Sequence, residues 1–339
     1  MIERSTEHIV RWLNFNVLTN NIARYPQDVM DSNGGQIFEL LTFLTGKNYP
    51  FKARLEGVTK KSEKIKIIYK QYDDLLRNLK ENGALLNTIR PEFLLKMQEY
   101  NFWLKSNPSP LLNNTHKLSE KLFNYLSCDA WITLFFQILK IYYLGRVTPK
   151  AIRSLPGIPP EKITIPQYYI EGSNIYSVHE NLLLRWIEIQ YETVKVNQYI
   201  RLKNFDVSLK DGTVFAALLQ SYMGTGRLLA LKEMRNNPQT EDDFRHNSQK
   251  IIDALSEMRL QTHFTAKDLM NPSQREMVLF CLYLYNNLPH YISKATVEFS
   301  CVLGDSVTKY IELSNPTSKA ISYRVNTIFP FVMLMFTKI

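Results

Sequence analysis

The sequence predicts a mainly α-helical protein built from two helical units and followed by the start of a β-sandwich. Apolar residues recur at helical spacing through most of the chain. A proline-dense stretch separates the two helical units, and an alternating apolar–polar pattern replaces the helical one near the end. We therefore expect a helical unit at 1–146, a linker at 147–176, a second helical unit at 177–292 and strands at 293–339.

Helical stripes in the first unit are predicted at 9–17, 37–44, 63–81, 91–103 and 118–144. Gly46 and Gly83 follow two of these stripes, as expected of residues that end helices. The most apolar run, at 131–144, is shorter than the roughly 20 residues that cross a bilayer. We interpret that run as a buried helix and expect no membrane partner. In the linker, the density of prolines argues against regular helix.

The second unit carries its own start signals for helices. Thr240 precedes Asp243 by three residues, and Ser273 precedes Glu276 by three. This spacing lets the hydroxyl and the carboxylate cap the first turn reciprocally. We therefore expect helices to begin at both places.

Charge is distributed unevenly along the chain, whose net charge is +9. Residues 1–174 hold 23 basic against 16 acidic residues, whereas 175–292 hold 13 of each. A basic surface attracts acidic polymers such as nucleic acid or the acidic face of tubulin. The first unit also contains a cluster of five lysines: Lys60, Lys61, Lys64, Lys66 and Lys70. The cluster is either a contact surface for a filament or partner, or a solvated loop and helix face.

Residue patterns of an active site or a cofactor site are missing from the sequence. The three cysteines, Cys128, Cys281 and Cys301, show no CxxC spacing, and the six histidines form no pair at metal spacing. The glycine-containing loop at 223–227 lacks the ending of a phosphate-binding loop. Aromatic residues do not alternate with arginines as they do on RNA-stacking surfaces. We therefore expect no enzyme, no cofactor, no metal and no nucleic-acid partner.

A set of signature residues recurs through the second unit in a fixed order: Trp186, Asn204, Phe205, Asp211, Gly212, Asn247, Asp268, Leu269 and Pro289. In this order and spacing, residues 177–292 resemble a calponin-homology domain. The resemblance implies an all-helical module that binds cytoskeletal filaments or their partners, and it implies a structural role for the signature residues. The first unit resembles the same family more loosely, through Asp31, Gly34, Gly35 and Gly46, and is interpreted as a divergent calponin-homology-like unit.

The final segment resembles the opening of an ASH-type domain, an immunoglobulin-like sandwich. The residues that carry this likeness are Gly304, Ile311, Leu313, Asn315, Pro316 and Tyr323. Such a domain needs about 100 residues, so 293–339 is expected to be an incomplete one and the chain a fragment or short isoform.

The order of these domains is similar to that of large axonemal proteins. It implies a scaffold in the cytoskeleton of a cilium or flagellum, within the central apparatus of the axoneme, that supports ciliary and sperm motility. The implied partners are microtubules or axonemal central-apparatus proteins. The alternative is an actin-binding tandem calponin-homology module.

Overall fold

The computed structural model describes residues 35–292, with gaps at 48, 50–54, 87–88, 107–117, 158–162, 174 and 196–197, and five isolated residues between 300 and 308. The chain divides into two compact units, Met1–Ile292 and Ser293–Ile339. All regular structure among the described residues is helical. The helix predicted at 9–17 and the strands predicted within 293–339 lie outside the described residues.

The described residues of the first part of the larger unit form four α-helices: α1 (Gly35–Thr45), α2 (Lys61–Glu81), α3 (Met97–Ser106) and α4 (Glu120–Tyr142). Gly46, with φ +70°, follows α1, and Gly83, with φ +92°, follows α2, so both glycines stop helices as predicted. The single helix predicted at 91–103 is wrong. A 3₁₀ turn at Pro91–Leu94 precedes α3, and the extended backbone of Leu95 separates the two.

Helix α4 is the central helix of this first part. Every side chain from Ala130 to Leu139 is buried, which confirms the prediction of a buried helix. The stretch Glu120–Arg146 is the one described helix long and apolar enough to cross a membrane by length and composition. About 67% of its most apolar stretch is buried inside the protein, so packing against other helices accounts for its apolar character.

The proline-dense stretch contains two short helices, which corrects the expectation that prolines would prevent helix there. They are α5 (Pro149–Arg153) and α6 (Gln167–Ile170). Pro149 occupies the first turn of α5, where the missing N–H would have no helical partner, and the Thr148 hydroxyl caps the Ala151 N–H at 3.1 Å. Ile152 and Tyr169 are buried, so this stretch belongs to the core.

Six α-helices follow: α7 (Val178–Val194), α8 (Thr213–Met223), α9 (Leu229–Lys232), α10 (Glu241–Glu257), α11 (Ala266–Met270) and α12 (Gln274–Asn287). Short 3₁₀ turns lie at Leu144–Arg146, Val207–Leu209 and Leu288–Tyr291. The reciprocal cap of Thr240 and Asp243 is present at the start of α10, as predicted. Ser273 caps α12 by accepting from the Glu276 N–H at 3.4 Å.

Polar contacts join α7 to the helices before it. The ammonium group of Lys140, in α4, lies 2.8 Å from the carboxylate of Glu180 in α7. The Nδ1 atom of His179 lies 2.9 Å from the Val147 carbonyl oxygen. Apolar residues from α1 to α12 form one continuous hydrophobic cluster. The two helical parts are therefore packed on each other within a single compact unit.

Replacing Lys140 with Met is expected to destabilise the protein by about 3 kcal/mol, because it leaves a buried carboxylate without its cation. The double variant Lys140→Met, Glu180→Gln is expected to recover part of this loss. The glutamine oxygen can still accept from the Ser177 N–H, which now donates to Glu180 at 2.8 Å. Urea unfolding followed by circular dichroism measures both values. A free energy of unfolding for Lys140→Met within about 0.5 kcal/mol of that of the unaltered protein would contradict a buried ion pair at this junction.

Candidate filament interface

Helix α2 presents the lysine cluster on a well-supported scaffold. Seven residues on one side of α2 are buried: Ile65, Ile68, Gln71, Tyr72, Leu75, Leu76 and Leu79. The ring of Tyr72 meets that of Trp131 edge-on at 5.8 Å, and the ring of Tyr69 stacks on that of Trp103 at 5.0 Å. Burial raises the pKa of the Tyr72 hydroxyl well above its usual value, so this side chain stays neutral. The helix is thus held firmly from one side.

All five lysines of the cluster are exposed. Lys66 and Lys70 lie one turn apart on the outer side of α2, opposite the buried stripe. Lys61 and Lys64 precede Ile65, the first buried residue of that stripe, and Lys60 is the N-cap. The cluster therefore surrounds the start of α2 and continues along its outer side.

The cluster works against the stability of its own helix. Lys60, Lys61 and Lys64 stand at the positive end of the helix dipole, where each cation costs about 0.3–1 kcal/mol. Lys66 and Lys70 repel each other at a spacing of four residues. Within the described part of the chain, none of the five has a carboxylate within 4 Å. The cluster thus presents concentrated positive charge that the fold does not neutralise.

The second half of α2 differs in this respect. The guanidinium group of Arg77 lies 2.7 Å from the Asp73 carboxylate and 3.9 Å from that of Asp74. These intrahelical pairs leave little net charge on that part of the surface. On α2, the unpaired positive charge is therefore concentrated at residues 60–70.

The signature residues around Asn247 hold three segments of the second helical part together. The Asn247 side chain, fully buried, accepts from the Arg235 N–H at 2.8 Å and donates to the carbonyl oxygens of Asp211 and Arg235 at 3.1 and 3.2 Å. Gly212 has φ +78°, and a Cβ atom there would lie 3.2 Å from the Asn247 Cβ. The Asp211 carboxylate accepts from the Thr213 N–H at 2.9 Å and so starts α8. These contacts indicate that Asn247, Gly212 and Asp211 stabilise the fold.

The aromatic signature residues occupy the core of the same part. The indole N–H of Trp186 donates to the Tyr222 hydroxyl at 3.0 Å, and the Trp186 ring meets that of Tyr285 edge-on at 5.1 Å. Phe205 is fully buried, and its ring meets that of Tyr176 edge-on at 5.5 Å. Burial raises the pKa of the Tyr222 hydroxyl, so it remains a neutral partner of the indole.

The remaining signature residues end or begin short elements. The Asn204 side-chain oxygen accepts from the Ser208 N–H at 2.9 Å. The Asp268 carboxylate accepts from both the N–H and the hydroxyl of Thr265 at 2.7 Å, which closes a capping box at the start of α11. Leu269 is buried and Pro289 lies in the last 3₁₀ turn. The Thr265–Asp268 spacing is the same capping signal that identified α10, so the sequence contained this cap.

A buried ionic network around Glu188 was not predicted from the sequence. The Glu188 carboxylate accepts from the Tyr169 hydroxyl, from the Leu202 N–H at 2.7 Å and from the Arg185 guanidinium at 3.1 Å. The Arg185 Nε–H donates to the Thr164 carbonyl oxygen at 2.9 Å. Arg185 and Glu188 lie three positions apart in the otherwise apolar sequence of α7. This spacing was the signal in the sequence that the two could form an ion pair. The network ties α6 and the segment after α7 to α7.

Helix α7 itself is buried on every side from Leu182 to Gln190. The junction with α4, α6 and the core of the second part covers it. A filament cannot reach this helix without unfolding the junction. Contact surfaces must therefore lie elsewhere on the molecule.

Reactive groups that could form a catalytic or metal centre are few among the described residues. No group of three or more His, Cys, Asp or Glu residues is arranged there to hold a metal ion. Cys281 is buried, and burial raises the pKa of its thiol, which suppresses the nucleophilic thiolate.

Comparison with known proteins matches both helical parts. Residues 1–147 match the family model described as the cilia- and flagella-associated protein 47 domain, and residues 177–290 match the calponin homology (CH) domain. The chain is 30% identical over 311 residues to mouse "Cilia and flagella-associated protein 47" and 28% identical over 315 residues to the human protein of that name. Each match covers 86% of this chain and 10% of the relative, so the chain spans about a tenth of the length of these relatives.

Gly212→Ala is expected to destabilise the protein by about 2–3 kcal/mol, because alanine is strained at positive φ and its methyl group crowds Asn247. Gly226→Ala is the matched control, since Gly226 has φ +81° and open space around it. We expect the control to lose only about 1 kcal/mol. Chemical denaturation measures the difference. Equal losses in the two variants would refute the close packing of Gly212 on Asn247.

Proposed function

We propose that this protein is a structural scaffold of the ciliary and flagellar axoneme. The proposal starts from the match to a cilia- and flagella-associated protein 47 domain followed by a calponin-homology domain. In this proposal the protein binds microtubules or axonemal central-apparatus proteins and supports motility of cilia and of the sperm flagellum. It works by binding and not by catalysis. The observation that carries the proposal is the exposed, unneutralised lysine cluster on α2, within the domain that bears the ciliary likeness.

The physical basis of binding is electrostatic attraction between Lys60, Lys61, Lys64, Lys66 and Lys70 and an acidic filament surface. Single exposed ion contacts contribute only about 0.2–1 kcal/mol. Several lysines that face one polyanion together give useful affinity and speed association. The packing of α2 against the core adds to the affinity, because less conformational entropy is lost when a partner binds.

An actin-binding module is the second candidate, favoured by the calponin-homology domain alone. Burial of α7 limits which surfaces such a module could offer here. The likeness of the first part to a divergent calponin-homology unit stays a prediction, because its family match is to a different model. We therefore rank actin below the microtubule and its associated proteins.

For residues 293–339 we propose the opening of an ASH-type sandwich. The alternating sequence pattern at Val297, Phe299 and Cys301 supports it, as does the Asn315–Pro316 pair, which is a sequence signal for a turn.

Reversing charge at four lysines, Lys60, Lys61, Lys64 and Lys66 to Glu, is expected to weaken co-sedimentation with microtubules by roughly tenfold or more. Binding of the unaltered chain should also fall as salt rises, because screening weakens exposed charges. The matched control reverses four exposed basic residues elsewhere, Lys150, Arg153, Lys232 and Lys267. Both variants change the net charge by the same amount.

Equal losses in the two quadruple variants would show that only net charge matters and would reject the lysine cluster as a site. No binding of the unaltered chain at low salt would reject direct microtubule contact. Sedimentation with actin filaments and not with microtubules would favour the second candidate.

A further inference from the structure

The segment after α7 carries a row of exposed side chains. Residues 198–203 run without helix, and from Tyr199 to Lys203 the side chains alternate between two sides. Leu202 is buried and Ile200 is half-buried, whereas Tyr199, Arg201 and Lys203 are exposed. Tyr199 is 88% exposed, an unusual position for so large a ring. The apolar inner side fixes the segment to the core and leaves the outer side for contact.

A neighbouring segment adds apolar side chains to this row. The Arg201 guanidinium lies 4.9 Å from the centroid of the Tyr168 ring. Farther along, the Phe205 N–H donates to the Tyr176 hydroxyl at 3.4 Å. These contacts hold residues 168–176 beside residues 199–207. We call the exposed aromatic, aliphatic and basic members of the two segments the basic–aromatic strip: Tyr168, Ile175, Tyr199, Arg201, Lys203 and Val207. Glu171 and Ser173 of the first segment are also exposed, and the exposed residues of the two segments together remain net positive.

The zero formal charge of 175–292 conceals a separation of charge. Residues 195–210 contain four basic residues and one acidic residue, whereas α10 contains five acidic and two basic residues. Beside α10, Arg235 pairs with Asp242 at 2.6 Å, and Lys250 pairs with Glu233. By contrast, Arg201 and Lys203 have no carboxylate within 4 Å in the described part of the chain. The positive charge of the strip is therefore free to act outward.

We propose that the basic–aromatic strip binds an acidic polypeptide segment that carries apolar side chains. Tyrosine and arginine are the residues that most often dominate protein interfaces. The aliphatic side chains of Ile175 and Val207, 72% and 74% exposed, suit apolar side chains better than nucleobases. This site is formed by the calponin-homology domain together with Tyr168 and Ile175, which precede it. It is separate from the lysine cluster on α2, so it goes beyond the proposed function.

The test uses the full chain and a fluorescein-labelled 16-residue peptide of glutamates with phenylalanine at every fourth position. Fluorescence anisotropy at low salt measures its affinity. The variant Tyr199→Ser, Arg201→Gln is expected to weaken binding at least tenfold. The matched control Leu229→Ser, Lys232→Gln removes another exposed apolar–basic pair, outside the strip, and should bind like the unaltered chain. Circular dichroism verifies that both variants are folded.

Two further peptides separate charge from apolar contact. Replacing each phenylalanine with serine, or each glutamate with glutamine, is expected to weaken binding at least fivefold. Unchanged affinity for the serine peptide, or for the Tyr199→Ser, Arg201→Gln variant, would overturn the proposal. Tighter binding of a 16-nucleotide oligothymidine than of the peptide would overturn it in favour of nucleic acid. Strip-dependent dimers without peptide binding would overturn it in favour of a second copy.

Discussion

The carboxylate of Glu180 connects the two helical parts of this protein. It accepts from the N–H and the hydroxyl of Ser177 at 2.8 Å each and so starts α7, and the same carboxylate pairs with Lys140 at the end of α4. The ordering of one helix start is thereby linked to the placement of the preceding helix. The Glu188 network does the same for α6. Because these groups are buried, neither part can move away without leaving charges unpaired in the interior.

This linkage changes how the proline-dense stretch is understood. Of its described prolines, Pro149 and Pro166 lie at helix starts and Pro156 lies in a turn. Its apolar residues Ile152, Ile163 and Tyr169 are part of the core. Surfaces on the two parts are therefore held at fixed distances. A binding surface on α2 and one beside α7 can act on partners whose spacing they match, as multivalent binding requires.

Helix starts and stops were predictable from local rules, as Gly46, Gly83 and the Thr240–Asp243 cap illustrate. Helical spacing also indicates that the five lysines are exposed. Their arrangement around the start of α2 is clear only from the structure, in which the buried stripe begins at Ile65. Contacts between distant residues could not be predicted. Lys140 lies within an apolar run of the sequence, and only the fold brings Glu180 to it. The charge balance of the calponin-homology domain is equally uninformative about its surface, because a sum over the sequence does not show which charges are paired.

Whether the two described helical parts within residues 35–292 are held rigidly together can be measured directly by electron paramagnetic resonance. Spin labels placed at Lys70→Cys on α2 and Asn286→Cys on α12, both exposed positions, report the distance between the two parts once Cys128, Cys281 and Cys301 are replaced by serine or alanine. We predict one narrow distance distribution, which broadens in the Lys140→Met variant. A broad or two-peaked distribution in the protein with Lys140 intact would contradict a single rigid body.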